Sequence, residues 1–115
     1  MNPDFIIVPT PNPAETLFSF FPELRDVLDN SEGPYYLYAR FADYLLARKS
    51  DIDLWRRAFD LFDAMASGSL ELPSLLAISL FESLQEDAAL LDRIAADCGP
   101  AAKRILNQTR TQSQF

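Results

Sequence analysis

The densest apolar pattern in the chain lies between residues 52 and 84, where two helical stretches meet at a short Gly/Pro hinge. In the first stretch, Ile52, Trp55, Phe59 and Phe62 recur at helical spacing, and Leu54, Ala58, Leu61 and Met65 form a second apolar row beside them. Asp53, Arg56, Arg57, Asp60 and Asp63 take the remaining stripe, which is the period of an amphipathic helix. A helix apolar over most of its circumference must be covered by neighbours on two sides, so the pattern predicts a multi-layer, all-α bundle. The mixed signs on the polar stripe, three and four residues apart, read as a solvated face that pairs with itself.

The same periodicity extends to about five or six helices. Residues 1–12 hold Pro3, Pro9 and Pro11 around the apolar Phe5 and Val8, which forbids helix and predicts an extended Pro-rich arm lying on the bundle. A first helix opens with Asn12 as N-cap, Pro13 at N1 and Glu15 in its first turn, and breaks at Pro22. A second helix starts at Pro34 and runs to about Lys49, with Leu37, Phe41, Tyr44 and Leu45 as its core row and Arg48 and Lys49 suited to its negative end. Ser50 and Asp53 suggest a capping box for the third helix, and Gly68 a C′ glycine at its end. A fourth helix begins near Glu71 or Pro73 and ends near Gln85, a fifth covers residues 87–98, and a sixth covers residues 101–108 after Gly99-Pro100. The chain thus divides into an arm (1–12), one helical domain (13–108) and a polar, frayed tail (109–115). Helices two to five could stack as hairpins in the manner of HEAT repeats or form an irregular bundle, and nothing in the pattern asks for a strand.

Composition narrows the function more than the fold. A chain of 115 residues with 49% hydrophobic content is long enough for one core and too apolar to be disordered. No apolar run approaches the ~18–20 residues that span a bilayer, and the start lacks a basic n-region, so a cytoplasmic protein that does not enter membranes is expected. The chain has no histidine, which removes the Ser-His-Asp and Cys-His mechanisms and the HExxH zinc site together. With only Gly33, Gly68 and Gly99, no Gly-rich phosphate loop can be built, and no cofactor or metal site is expected. Cys98 sits on the apolar row Leu90, Leu91, Ile94, Ala95 and reads as a small core residue. An enzyme is therefore not expected; the remaining catalytic reading is a histidine-free hydrolase using a carboxylate dyad.

The net charge of −7 argues against nucleic acid as a partner, since phosphate neutralisation needs a basic face. It suits a basic protein partner, or simply keeps a small domain soluble. Candidate partner-binding residues follow from position. Tyr35, Tyr36 and Tyr38 open the second helix and cannot all face one core row, so an exposed tyrosine is expected there, a residue type favoured at interfaces. Glu82 interrupts the most apolar helix, either as an edge residue, paired to Arg56 or Arg93, or presented to a partner. Given a partner with a basic cleft, Asp43, Glu82 and Glu86 are the acids able to plug it, with Tyr35 or Tyr36 as aromatic anchor.

The segment 35–106 resembles a family of small helical bacterial domains found beside polymorphic and secretion-system toxins, where they are proposed to act as immunity proteins. The likeness rests on a Phe-Pro-Glu-Leu opening (Phe21, Pro22, Glu23, Leu24), an aromatic second helix, and the spacing Phe59, Phe62, Met65 in the third. It continues through Leu75, Leu76, Leu80, Phe81, Glu82 and Leu84 to a close at Gly99, Pro100, Lys103 and Leu106. The resemblance implies an all-α fold and a non-catalytic role, binding a cognate toxin and occluding its active site. The alternative from a different class is a helical adaptor that docks a peptide or subunit in a groove.

Overall fold

The computed structural model describes residues 12–29, 31–68, 71–85 and 87–112, so residues 1–11 of the arm and Glu86 lie outside the described residues. Among them the protein is all-helical: α1 (Pro13–Phe20), a 3₁₀ turn (Pro22–Leu24), α2 (Pro34–Leu46) and α3 (Ile52–Ala66) come first. A continuous helical segment follows, made of α4 (Leu72–Leu75), a π-helical stretch (Leu76–Phe81) and α5 (Glu82–Leu84), and α6 (Ala88–Asp97) and α7 (Pro100–Gln112) complete it. None of these helices is long and apolar enough to cross a membrane.

Local chemistry sets the boundaries. The Asn12 side chain accepts from the Ala14 and Glu15 N–H groups, and Asp87 accepts from Leu90 N–H at 3.0 Å, each satisfying orphan donors of a first turn. Asp51, not Ser50, caps α3, accepting from Leu54 N–H at 3.1 Å, so the first turn starts one residue later than a Ser50 cap would place it. Gly33, with φ of 99°, takes the left-handed turn that precedes Pro34 at N1 of α2. Gly68 does not play the expected role of a left-handed C′ residue: among the described glycines only Gly33 has positive φ. It lies close to α4 instead, where a Cβ would stand 2.7 Å from Leu72 Cδ1 and make that side chain shift. The last helix passes Gln108, where the sequence places its end, and continues to Gln112. Ala102, Leu106 and Thr109 are buried along one side of it, and Arg110 pairs with Asp92 at 3.1 Å, so the polar letters after Leu106 hide a packed face.

The core is built from Trp55, Tyr38, Phe21, Phe41, Phe62 and Phe81 with leucines between them. Phe21 meets Phe41 at 4.9 Å between ring centroids and Phe62 meets Phe81 edge-on at 5.4 Å, favoured aromatic geometries. The leading buried row of α3 is the Leu54, Ala58, Leu61, Met65 row together with Trp55 and Phe62; Phe59 is half-buried and Ile52 is 64% exposed. Helices adjacent in sequence are not the main partners. The principal neighbour of α2 is the Leu76–Phe81 stretch rather than α3, while α3 packs on α7 and α1. Of the two arrangements open from the sequence, the irregular bundle is the one formed, and stacked HEAT-like hairpins are not.

The π-helical stretch explains how one segment serves several neighbours. A π turn closes its bonds five residues apart, as Glu82 N–H does on the Ala77 carbonyl. Its wider turn keeps Leu75 and Leu76 on one side and Leu80 and Phe81 on the next in the core together, leaving Ile78 51% exposed as the residue the wide turn pushes outward.

Candidate partner-binding surface

The second helix turns one face to the core and the opposite face outward. Leu37, Tyr38, Phe41, Ala42 and Leu45 are buried, and the Tyr38 hydroxyl donates to the Pro13 carbonyl at 2.8 Å, tying the start of α1 to α2. Burial pushes the Tyr38 phenol well above its ordinary range, so it acts as a fixed neutral donor. Tyr35 and Tyr36 stand 43% and 45% exposed, two where the crowding of tyrosines at this helix start requires at least one.

Further along the same outward face come Arg40 and Asp43. Tyr36, Arg40 and Asp43 are four and three residues apart, the spacing that brings side chains together on one helical face. The Arg40 guanidinium lies over the Tyr36 ring at 5.9 Å and meets the Asp43 carboxylate at 3.4 Å. Arg40 joins Tyr36 and Asp43 on this face, a contact that the reading of single residues misses; the signal for it is the spacing itself.

Glu82 is exposed at the start of α5, on the segment against which α2 packs. Neither arginine considered as its structural partner meets it. Arg56 pairs with Asp53 at 3.2 Å, and Arg93 donates to the Lys49 carbonyl at 2.8 Å while lying over the Trp55 ring. The Lys49–Asp87 ion pair joins the turn after α2 to the N-cap of α6, while Asp43 and Glu82 lie on α2 and α5, which pack against each other. Tyr35, Tyr36, Asp43 and Glu82 are thus all solvent-facing, on two packed helices, and Glu86 lies outside the described residues.

The polar stripe of α3 departs from the self-paired face that its mixed signs suggest. Only Arg56 and Asp53 pair within the helix. Arg57 instead forks onto Glu23 at 2.6 and 3.1 Å and donates to the Phe20 carbonyl at 3.3 Å, locking the end of α1 to α3. Asp63 accepts from Gly99 N–H at 2.8 Å, locking the start of α7. A groove of about 250 Å³ opens beside this stripe, lined by Ile52, Trp55, Arg56, Phe59, Arg93 and Asp97.

Among the described residues no three His, Cys, Asp or Glu side chains gather as a metal site, and every buried side-chain nitrogen or oxygen has a partner. Burial, with Asp63 nearby, pushes the Cys98 thiol up, which disfavours the thiolate a nucleophile needs. Compared with protein-family models, curated proteins and solved structures, the chain matches none of them.

Proposed function

We propose that this chain is an immunity-type protein, a non-catalytic helical domain that binds a toxin with a basic active-site cleft and blocks it. The observation that carries this reading is the outward face of α2, where two adjacent tyrosines stand exposed beside Asp43 on a helix whose other face is fixed in the core. Tyrosine brings contact area at low entropic cost, and a helix anchored in the core holds it ready without further ordering. Acids beside such an anchor steer a basic partner in and set its register, which the net charge of −7 reinforces at longer range. The sequence resemblance to toxin-associated immunity domains supports the same role.

The test is co-expression with the toxic product of the neighbouring gene. The parent chain is expected to form a stable complex and to protect the cells. Tyr36→Ala together with Glu82→Lys is expected to abolish both while leaving the thermal melt unchanged, since both side chains are exposed. Protection by the folded double variant equal to that of the parent overturns this assignment of the face, and absence of any complex overturns the function.

The groove between α3 and α6 favours a second reading, an adaptor that accepts an apolar side chain of a peptide over Trp55 and Phe59. Ile52→Asp separates the two, since it blocks groove docking and leaves α2 untouched.

A further inference from the structure

On the outward face of α2 an arginine already occupies the position between an exposed ring and a carboxylate. Among the described residues several guanidiniums lie over aromatic rings, but most are fixed there by strong bonds. Arg25, over Phe18, makes paired bonds to both Glu15 carboxylate oxygens at 2.8 and 2.9 Å, and Arg57, over Phe21, forks onto Glu23. Arg93 and Arg48 each donate to a backbone carbonyl. Arg40 differs on each count: its ion pair with Asp43, at 3.4 Å, is the longest among the described residues, and its ring partner Tyr36 is half-exposed rather than part of the core. The side chains of Arg40 and Asp43 are 54% and 61% exposed, so a guanidinium arriving from outside can reach the same ring and the same carboxylate.

We infer that Tyr36 and Asp43 form a docking site for an arginine side chain of a basic protein partner, and that Arg40 holds the site as an intramolecular stand-in until the partner displaces it. The inference rests on the proposed function for the partner being a basic protein, and on the geometry of α2 for the site. An exposed ring supplies the negative face of its quadrupole and the carboxylate supplies charge, which together select a planar cation over a neutral or acidic group. The intramolecular pair is weak because both members are hydrated, so exchange for a partner's arginine is inexpensive.

The test is a titration of the full chain with a hexa-arginine peptide, followed by residue-resolved NMR. Shifts are expected to centre on residues 36–43. Arg40→Gln is expected to tighten binding by about two- to fivefold, the range an exposed ion pair is worth, and Tyr36→Leu and Asp43→Asn to weaken it by a similar factor. Tyr36→Phe keeps the ring and is expected to bind like the parent. Arg104→Gln removes the same charge from exposed α7 and is expected to leave affinity nearly unchanged. The inference is overturned if Arg104→Gln tightens binding as much as Arg40→Gln does, or if the shifts centre on Asp26, Asp29 and Glu32 instead. Thermal melts of each variant confirm folding, and a site confirmed here alongside failed toxin neutralisation overturns the functional reading alone.

Discussion

The Asp63 carboxylate accepts the Gly99 N–H at 2.8 Å and fills the space in which a side chain at position 99 would begin. All three carboxylate atoms would lie 2.7–2.8 Å from a Cβ at Gly99, closer than real contacts allow. The glycine is therefore favoured by the position of the Asp63 carboxylate rather than by backbone conformation. Gly99→Ala is expected to displace Asp63 and break the bond, and Asp63→Ala to leave a half-buried N–H without its acceptor, each costing about 1–3 kcal/mol. Because both changes remove the same contact, the double variant is expected to cost much less than the sum. Additive urea-denaturation energies would mean that the contact contributes little.

Phe62 and Phe59 share an apolar row in the sequence but not an environment. Phe62 is fully buried against Phe81, whereas Phe59 lines the open groove between α3 and α6. Phe62→Ala is expected to cost about 3–5 kcal/mol through the cavity it leaves, enough to threaten a domain with ~5–15 kcal/mol in all. Phe59→Ala is expected to cost less than half as much, because water already reaches one side of the ring. Equal losses in thermal or chemical denaturation would show that the groove is closed in solution.

The fold was largely legible because its signals are local. The helices of residues 13–20, 34–46, 52–66 and 88–97 follow from apolar period and from Asn12, Pro34 and Gly99-Pro100 as punctuation. What was not legible depends on partners distant in sequence. Arg57 and Asp63 look like members of a solvated stripe until Glu23 and Gly99 are brought beside them by folding. The burial of Thr109 was hidden because a threonine on a helix carries no apolar signal of its own. At the candidate site, crowding alone showed that at least one of Tyr35, Tyr36 and Tyr38 must face outward, while the burial of Tyr38 and the exposure of the other two follow from the packing of α2. The fact that Glu82 meets neither Arg56 nor Arg93 required the placement of α3 and α6.

The π-helical stretch makes a prediction about chain length. A π turn accommodates one residue more than an α turn, and Ile78, exposed at its outside, is the residue best placed to be surplus. Deleting Ile78 is expected to convert Leu76–Phe81 to a regular α-helix with Leu75 and Leu80 still facing the core. Deleting exposed Asp60 from regular α3 is expected to rotate every following core residue out of register and unfold the domain. Circular dichroism melts compare the two directly. If loss of Ile78 is as damaging as loss of Asp60, the wide turn is required by packing and is not an accommodated insertion.

Tyr38 links a stability change to alkaline pH. Its hydroxyl is buried on the Pro13 carbonyl, and burial raises its pKa from an ordinary value of 10.0. The unfolded chain therefore loses this proton at lower pH than the native protein does. The contribution of Tyr38 is fully present below pH 10 and is lost as pH rises beyond it. Tyr38→Phe is expected to cost about 0.5–1.5 kcal/mol at neutral pH and to flatten the alkaline limb of the stability curve. An alkaline limb identical in the variant and the parent would assign the effect to other groups.

The acid limb runs by the opposite sign. Bonds from Arg57 to Glu23, from Arg25 to Glu15 and from Lys49 to Asp87 hold these carboxyls below their ordinary values of 4.5 for Glu and 3.8 for Asp. The native state keeps them ionised where the unfolded chain takes up protons, so their contribution is present above those values and is lost as pH falls below them. Each pair is solvent-exposed and its effect correspondingly small, but Glu23 and Arg57 join α1 to α3 through two bonds and carry the clearest structural consequence. Glu23→Gln is expected to lower the urea midpoint at pH 7 slightly and to reduce its decline between pH 5 and pH 3. Raising the salt concentration to about 1 M, where the screening length shrinks to ~3 Å, is expected to narrow the gap between variant and parent at pH 7. Parallel acid limbs for variant and parent would show that the α1–α3 fork does not hold the Glu23 carboxyl below its ordinary value, leaving the decline to Glu15 and Asp87.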